Sequence, residues 1–159
     1  MKVALLCVGK PRGPVADAIE AYEARIGRYF SFEAIEVKET AHRSQPVPRV
    51  VEEEGERILA RVPQHHELVA LHRPGKAWSS EALASHLADA GLRGTAGVAF
   101  VIGGAYGLSS PLLERADHLM SLSSMTLPHE LARLVLSEQL YRAGTIVRGE
   151  PYHKGPVAG

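Results

Sequence analysis

The chain carries one cysteine, Cys7, among 159 residues. This excludes an internal disulfide framework and any CxxC zinc or redox motif. Cys7 lies in the apolar run VALLCV (3–8), which predicts a buried, unreactive thiol. Long hydrophobic runs are also missing: no segment approaches the ~18 apolar residues that span a bilayer. The N-terminal MKVALLCVGKP is too brief for a signal h-region and lacks a small-residue cleavage site. The expectation is a cytoplasmic protein without a membrane partner. An excess of charge of one sign is lacking too. Lys+Arg and Asp+Glu are 18 each and the formal net charge is zero, and neither half of the chain forms a basic arm or an acidic tail. A nucleic-acid partner therefore cannot be argued from bulk charge, and an RNA site would have to be a local patch. A hydrophobic content of 45% with 23% charged residues excludes disorder and fibrous repeats and fits one domain.

What is present is an alternation. KVALLCV (2–8) reads as a buried strand stopped by Gly9, residues 15–29 as a helix, and FEAIEV (32–37) as a half-exposed strand. Residues 38–48, with Pro46 and Pro48, read as a loop, and 50–62 as a helix that Gly55 weakens. ELVALH (67–72) is a third strand and RPGKAW a turn-rich loop. Ser79 or Ser80 caps a helix through Ala90. GVAFVI (97–102) is a strand buried on both faces, and Ser110-Pro111 opens a short helix. HLMSL (118–122) is a fifth strand, and a long helix runs from Pro128 to Thr145. Strand–helix alternation of this kind implies a parallel sheet covered by helices on both faces, with ligands beyond the carboxyl ends of the strands. That directs attention to the loops HRPGKAW, GGAYGLS and SSMTLPH.

In the second of these, Gly103, Gly104 and Gly107 permit positive φ and close backbone approach to a ligand, or simply a tight turn. The loop is neither a dinucleotide fingerprint nor a P-loop, and no GxSxG nucleophile motif occurs. An adenosine-like ligand held by backbone groups fits it better. In the third, Ser123, Ser124 and Thr126 offer hydroxyls between the apolar Leu122, Met125 and Leu127, which describes a small-molecule pocket. The plainer reading is a helix start, with Thr126 as N-cap and Pro128 as first helical residue. Arg142 is either a solvated helix-end cation or a phosphate ligand. The tail Arg148–Lys154 places Tyr152 and His153 among cations, which suits RNA stacking, or is a frayed terminus. The histidines show no ligand spacing, so no metal is expected.

Taken together, FVIGGAYGL, LSSMTLPHELARLVLSEQLYRA and IVRGEPYHK resemble the ribosomal RNA large subunit methyltransferase H family of the SPOUT superfamily. VGK (8–10), EGERILA and PGKAWSSEALA match as well, so the resemblance runs from Met1 to Lys154. It implies a single-domain α/β SPOUT fold over 1–154 with a C-terminal trefoil knot, and a loose extension at 155–159. It also implies a homodimer. The activity implied is transfer of methyl from S-adenosylmethionine, leaving S-adenosylhomocysteine, to N3 of a pseudouridine in helix 69 of 23S rRNA, on the assembled 70S ribosome. No DNA partner is implied. The implied cofactor residues are Leu71, Gly103, Gly104, Gly107, Leu122, Ser123, Ser124, Met125, Thr126 and Leu127. His153, Tyr152 and Arg142 are the implied catalytic candidates. Arg142, Arg148, Tyr152 and Lys154 are those for substrate RNA, and His129 is a structural position. Two departures are GPVAG (155–159) and the loop ETAHRSQPVP (39–48). The N3 proton has two candidate fates: His153 takes it as base, or Arg142 or Lys154 stabilises the imide anion while water takes it. The competing class is a non-catalytic ribosome-associated RNA-binding module, which would not bind S-adenosylmethionine.

Overall fold

The computed structural model describes residues 1–41 and 45–154. The loose tail expected at 155–159 and the centre of the 39–48 loop lie outside the described residues. Five strands form one sheet: β1 (Lys2–Val8), β2 (Ser31–Val37), β3 (His66–Ala77), β4 (Gly97–Ile102) and β5 (His118–Ser121). Their order is β2-β1-β4-β3-β5 and every pairing is parallel. The helices are α1 (Gly13–Ile26), α2 (Val47–Arg61), α3 (Ser80–Leu92), α4 (Ser110–Arg115) and α5 (His129–Arg148).

Helices cover both faces, because each strand presents alternate residues to opposite sides. Val3, Leu5, Val98, Phe100 and Val69 pack with residues of α1, α3 and α5. Ala4, Leu6, Leu68, Ala99 and Val101 pack with residues of α2 and α4. Every residue of β4 is buried, as an apolar run in the middle of a doubly covered sheet must be. Cys7 is buried in the first core, and burial pushes its thiol up to about 12, so it is inert as expected. Among the described residues, no helix is long and apolar enough to cross a membrane.

Local signals explain most boundaries. Ser79 and Ser109 cap α3 and α4, accepting from the Ala82 and Leu112 amides at 3.0 and 3.4 Å. Four expectations need correction. RPGKAW is not simply a loop: β3 runs on to Ala77, with Lys76 and Ala77 pairing Met120 and Ser121 after an irregularity between Leu71 and Lys76. Pro74 and Gly75 mark that irregularity, not the strand's end. Gly55 does not weaken α2. A side chain there would strike the Ser109 hydroxyl, so glycine is what lets α2 and α4 pack closely. Helix α2 also begins at Val47, with Pro48 in its first turn, where a missing N–H costs nothing. Thr126 is not the cap of the last helix, since Pro128 holds the N-cap position and His129 opens α5.

Candidate functional site

The three loops beyond the carboxyl ends of β3, β4 and β5 enclose a cleft of about 810 Å³, within the range of small-molecule sites. After β4, the chain reverses on itself: the Gly107 amide donates to the Gly104 carbonyl at 3.1 Å. Gly107 takes φ +85°, and a Cβ on Gly103 would lie 2.7 Å from the Gly107 carbonyl oxygen. Glycine is required at both positions. After β5, Ser123 Oγ accepts from the Met125 amide at 2.9 Å and Ser121 Oγ donates to the Ser123 carbonyl at 3.0 Å. These bonds bend the segment so that Leu122, Ser123, Met125, Thr126 and Leu127 all face the cleft. The irregular part of β3 supplies Leu71, His72, Arg73 and Pro74. Of the ten expected cofactor residues, Ser124 alone is not on the wall; its carbonyl lies 3.5 Å from Arg73 Nη1.

The tail residues form a second group, fixed and not frayed. Glu138 Oε1 accepts from Arg142 Nε at 3.0 Å, Arg142 Nη2 at 2.5 Å and the Tyr152 hydroxyl at 2.9 Å. Arg142 Nη1 donates to His153 Nδ1 at 3.1 Å, so Nε2 carries the imidazole proton and donates to Glu81 Oε1 at 2.9 Å. The Tyr152 ring lies 4.8 Å from the Arg142 guanidinium and 4.7 Å from the Tyr141 ring. Burial, then the bond to Glu138, pushes the Tyr152 phenol up to about 12, which leaves it protonated at neutral pH. The bond to Glu138 raises the Arg142 pKa, so that guanidinium is a permanent cation. Arg148 donates to the Arg28 carbonyl at 3.1 Å and stacks on Tyr29, while Lys154 is exposed.

None of these tail residues lines the cleft of its own chain. Ala132, on the cleft wall, and Arg142 are ten residues apart on α5, roughly 15 Å at 1.5 Å per residue. Along the same stretch of α5 runs a stripe at helical spacing, Leu131, Val135, Glu138 and Arg142, whose two apolar members are each 40% exposed.

Two further residues stand at the cleft. His129, expected only as a structural position, lines it at the start of α5. The second, Glu54, escapes sequence reasoning altogether; it lies behind the cleft, 3% exposed. Its Oε2 accepts from the Thr40 amide at 3.0 Å, whereas its Oε1 has no hydrogen-bond partner among the described residues and sits 2.9 Å from where a Gly104 Cβ would be. Burial raises the Glu54 pKa, against the lowering effect of the Thr40 amide. A carboxyl raised in the folded state stabilises fully below its unfolded pKa, and that stability is lost as pH rises through the folded value. E54Q removes the ionisation. Its stability relative to the wild type should therefore improve from pH 4 to pH 8, by on the order of 1 kcal/mol. Urea melts at the two pH values check this; a constant difference would contradict it.

A family model described as "Predicted SPOUT methyltransferase" matches residues 1–153. The chain is 48% identical over 155 residues to the ribosomal RNA large subunit methyltransferase H of Gemmatimonas aurantiaca, covering 97% of this chain and 100% of that one. It is 45% identical over 154 residues to the protein of the same name from Syntrophotalea carbinolica, covering 96% and 99%. Among solved structures, a probable methyltransferase from Bordetella pertussis Tohama I superposes with a TM-score of 0.57 at 17% identity, over 89% of this chain and 95% of that one; this shows a shared fold. The family match takes in both the cleft loops and the tail as far as His153, and the chain belongs to the SPOUT methyltransferase family.

Proposed function

We propose that this chain is an S-adenosylmethionine-dependent methyltransferase of large-subunit ribosomal RNA, acting on N3 of a pseudouridine in helix 69 of 23S rRNA in the 70S ribosome. The observation that carries the reading is the cleft beyond β3, β4 and β5, together with the names of the full-length relatives. Its residues fit the donor: Leu71, Leu122 and Leu127 offer an apolar slot for a purine, and the glycine bend brings backbone close without a side chain in the way. The site serves a single domain, residues 1–154, whose C-terminal part we assign the trefoil threading of the family. What supports that assignment is the passage of the chain from β4 past β3 to β5, with α5 packed on α1 and α3.

The acting unit in this reading is a cytoplasmic homodimer. A two-fold pairing of α5 with its copy, run antiparallel, covers the exposed Leu131 and Val135. It also carries the partner's Arg142 group back along the helix toward the Ala132 end of the cleft. The site so made is locally cationic although the protein is neutral.

S-adenosylmethionine supplies an activated methyl group, so the protein's task is alignment and removal of the N3 proton. The Tyr152 ring offers a surface for a base to stack on, and Arg148 and Lys154 offer cations for phosphates. His153 Nδ1 receives a proton only by exchanging its Arg142 donor for the substrate N3–H. In that exchange Arg142 is freed to face the developing imide anion, and Glu81 remains on Nε2 to steady the imidazolium.

Calorimetry with S-adenosylmethionine and mass mapping of ribosomal RNA test the reading. The wild type should bind the donor, and G104V should lose at least 100-fold in affinity, because even its Cβ meets Glu54 and Val8 at 2.9 and 3.2 Å. A strain lacking the protein should lose one methyl from helix 69. Absence of donor binding would favour the non-catalytic module; an unchanged helix 69 would remove the proposed target.

A further inference from the structure

Away from the cleft, three potential metal ligands from three elements converge. Glu67 is the second residue of β3, His118 the first of β5, and His86 lies in α3. The register pairs Val69 with His118. Glu67, two residues before Val69, therefore points to the same face as His118, the face α3 covers. One ligand atom from each of the three residues lies within 4.8 Å of the other two. Glu67 Oε1 is the shared centre: His86 Nε2 hydrogen-bonds to it, and His118 Nε2 stands 3.6 Å away. Glu67's other oxygen is taken by Arg93 Nη2 at 3.4 Å. The indole of Trp78 lies against both imidazoles, with centroids 4.7 and 5.7 Å apart.

We propose that Glu67, His86 and His118 bind one divalent transition metal ion, of which zinc is the natural candidate. Two imidazoles with one carboxylate is a donor set for zinc, cobalt or nickel and not for magnesium or calcium. Zinc bonds of about 2.0–2.1 Å need donor atoms roughly 3.3 Å apart. The side-chain ends reach that spacing by small rotations, and all three are only partly buried. A fourth position stays open to water. None of the three residues lines the cleft. The ion's effect is therefore structural, tying α3 to β3 and to the short edge strand β5. The same contacts without metal are a hydrogen-bonded pin, and the experiment separates the two. Ligand spacing along the chain does not reveal the group, because its members are 19 and 32 positions apart on separate elements.

The chain has one tryptophan, so Trp78 is a built-in reporter. The full-length protein, freed of metal by dialysis against chelator, is titrated with zinc chloride, and in parallel with cobalt chloride and magnesium chloride. Expected are a saturable change in Trp78 emission at one zinc per chain, a cobalt ligand-field absorption band, and no response to magnesium. At 100-fold excess over Kd, zinc should raise Tm by roughly 5 °C or more. H118A and E67Q should each weaken zinc at least tenfold and lose the emission change. H65A, which removes an exposed histidine outside the group, should retain both. Because H118A alters a partly exposed side chain, its melting curve without metal verifies that it folds. Zinc that leaves Trp78 emission and Tm unchanged, or binds H118A and E67Q as it binds the wild type, would overturn the site and leave only the pin.

Discussion

R142A is expected to lower the rate of rRNA methyl transfer by about 10²–10³-fold, the usual loss when one preorganised charge at the reacting centre is removed, with S-adenosylmethionine binding unchanged. Arg142 lies outside the cleft of its own chain, and in the proposed dimer it faces the RNA base and not the donor, so donor affinity should not move. Its guanidinium spans the tail group, bonded to Glu138 on one edge and to His153 on the other. Removing it takes away both the cation and the bond that sets the His153 tautomer. R142K separates these roles: it keeps the charge but not the two-edged geometry, and should recover only a small part of the rate. The pair is partly exposed and is worth no more than about 1 kcal/mol to folding, so an inactive variant that melts with the wild type would locate the defect in chemistry. Single-turnover methylation of isolated 70S ribosomes reads the rate, and calorimetry the donor affinity. Full activity in R142A would remove the tail from the mechanism.

The second large effect is on stability. R133A should lose about 2–3 kcal/mol, because it removes a buried guanidinium and leaves the half-buried Glu23 and the exposed Glu36 without their charge-assisted partner. Arg133 is 5% exposed. It donates from Nε and Nη2 to Glu23 at 3.1 and 3.0 Å, and from Nη1 to Glu36 at 2.6 Å. Burial works against the charge, but these two carboxylates hold the guanidinium's pKa above its ordinary value. The network ties α5 to α1 and to β2, so it fixes the helix on which both the cleft wall and the tail are mounted. Urea denaturation measures the loss. Apolar replacement of Arg133 together with Glu23 and Glu36 should recover most of it, since the penalty lies in the orphaned charges. A loss below about 1 kcal/mol in R133A would show that water reaches the site and screens it.

Arg133 also illustrates what a one-dimensional reading can see. The apolar run of β4, the cap at Ser79, the helix opened by Ser110-Pro111 and the alternation of β2 are local signals, and each appears in the fold where its residues predict. Glycine loops and serine-rich bends announce the cleft because their backbone demands are local as well. The extension of β3 past Pro74 and Gly75 was hidden, because partner strand β5 rather than local propensity decides it. Arg133 resembles any exposed helical arginine until β2 and α1 close over it. Glu54 sits in an acidic run whose other members are solvated, and only the packing of α2 against the Gly103–Gly107 bend singles it out. The remoteness of the tail from the cleft is equally invisible, because motif order along the chain says nothing about which copy of the chain completes the site.

That last point decides the mechanism, and mixing two inactive variants tests it most directly. G104V damages the cleft and keeps the tail; R142A keeps the cleft and damages the tail. If each site joins one subunit's cleft to the partner's tail, random reassortment of equal amounts restores about one quarter of wild-type methylation, through the single intact site in each mixed dimer. If each subunit completes its own site, every site in the mixture carries one defect and activity stays at the level of the separate variants.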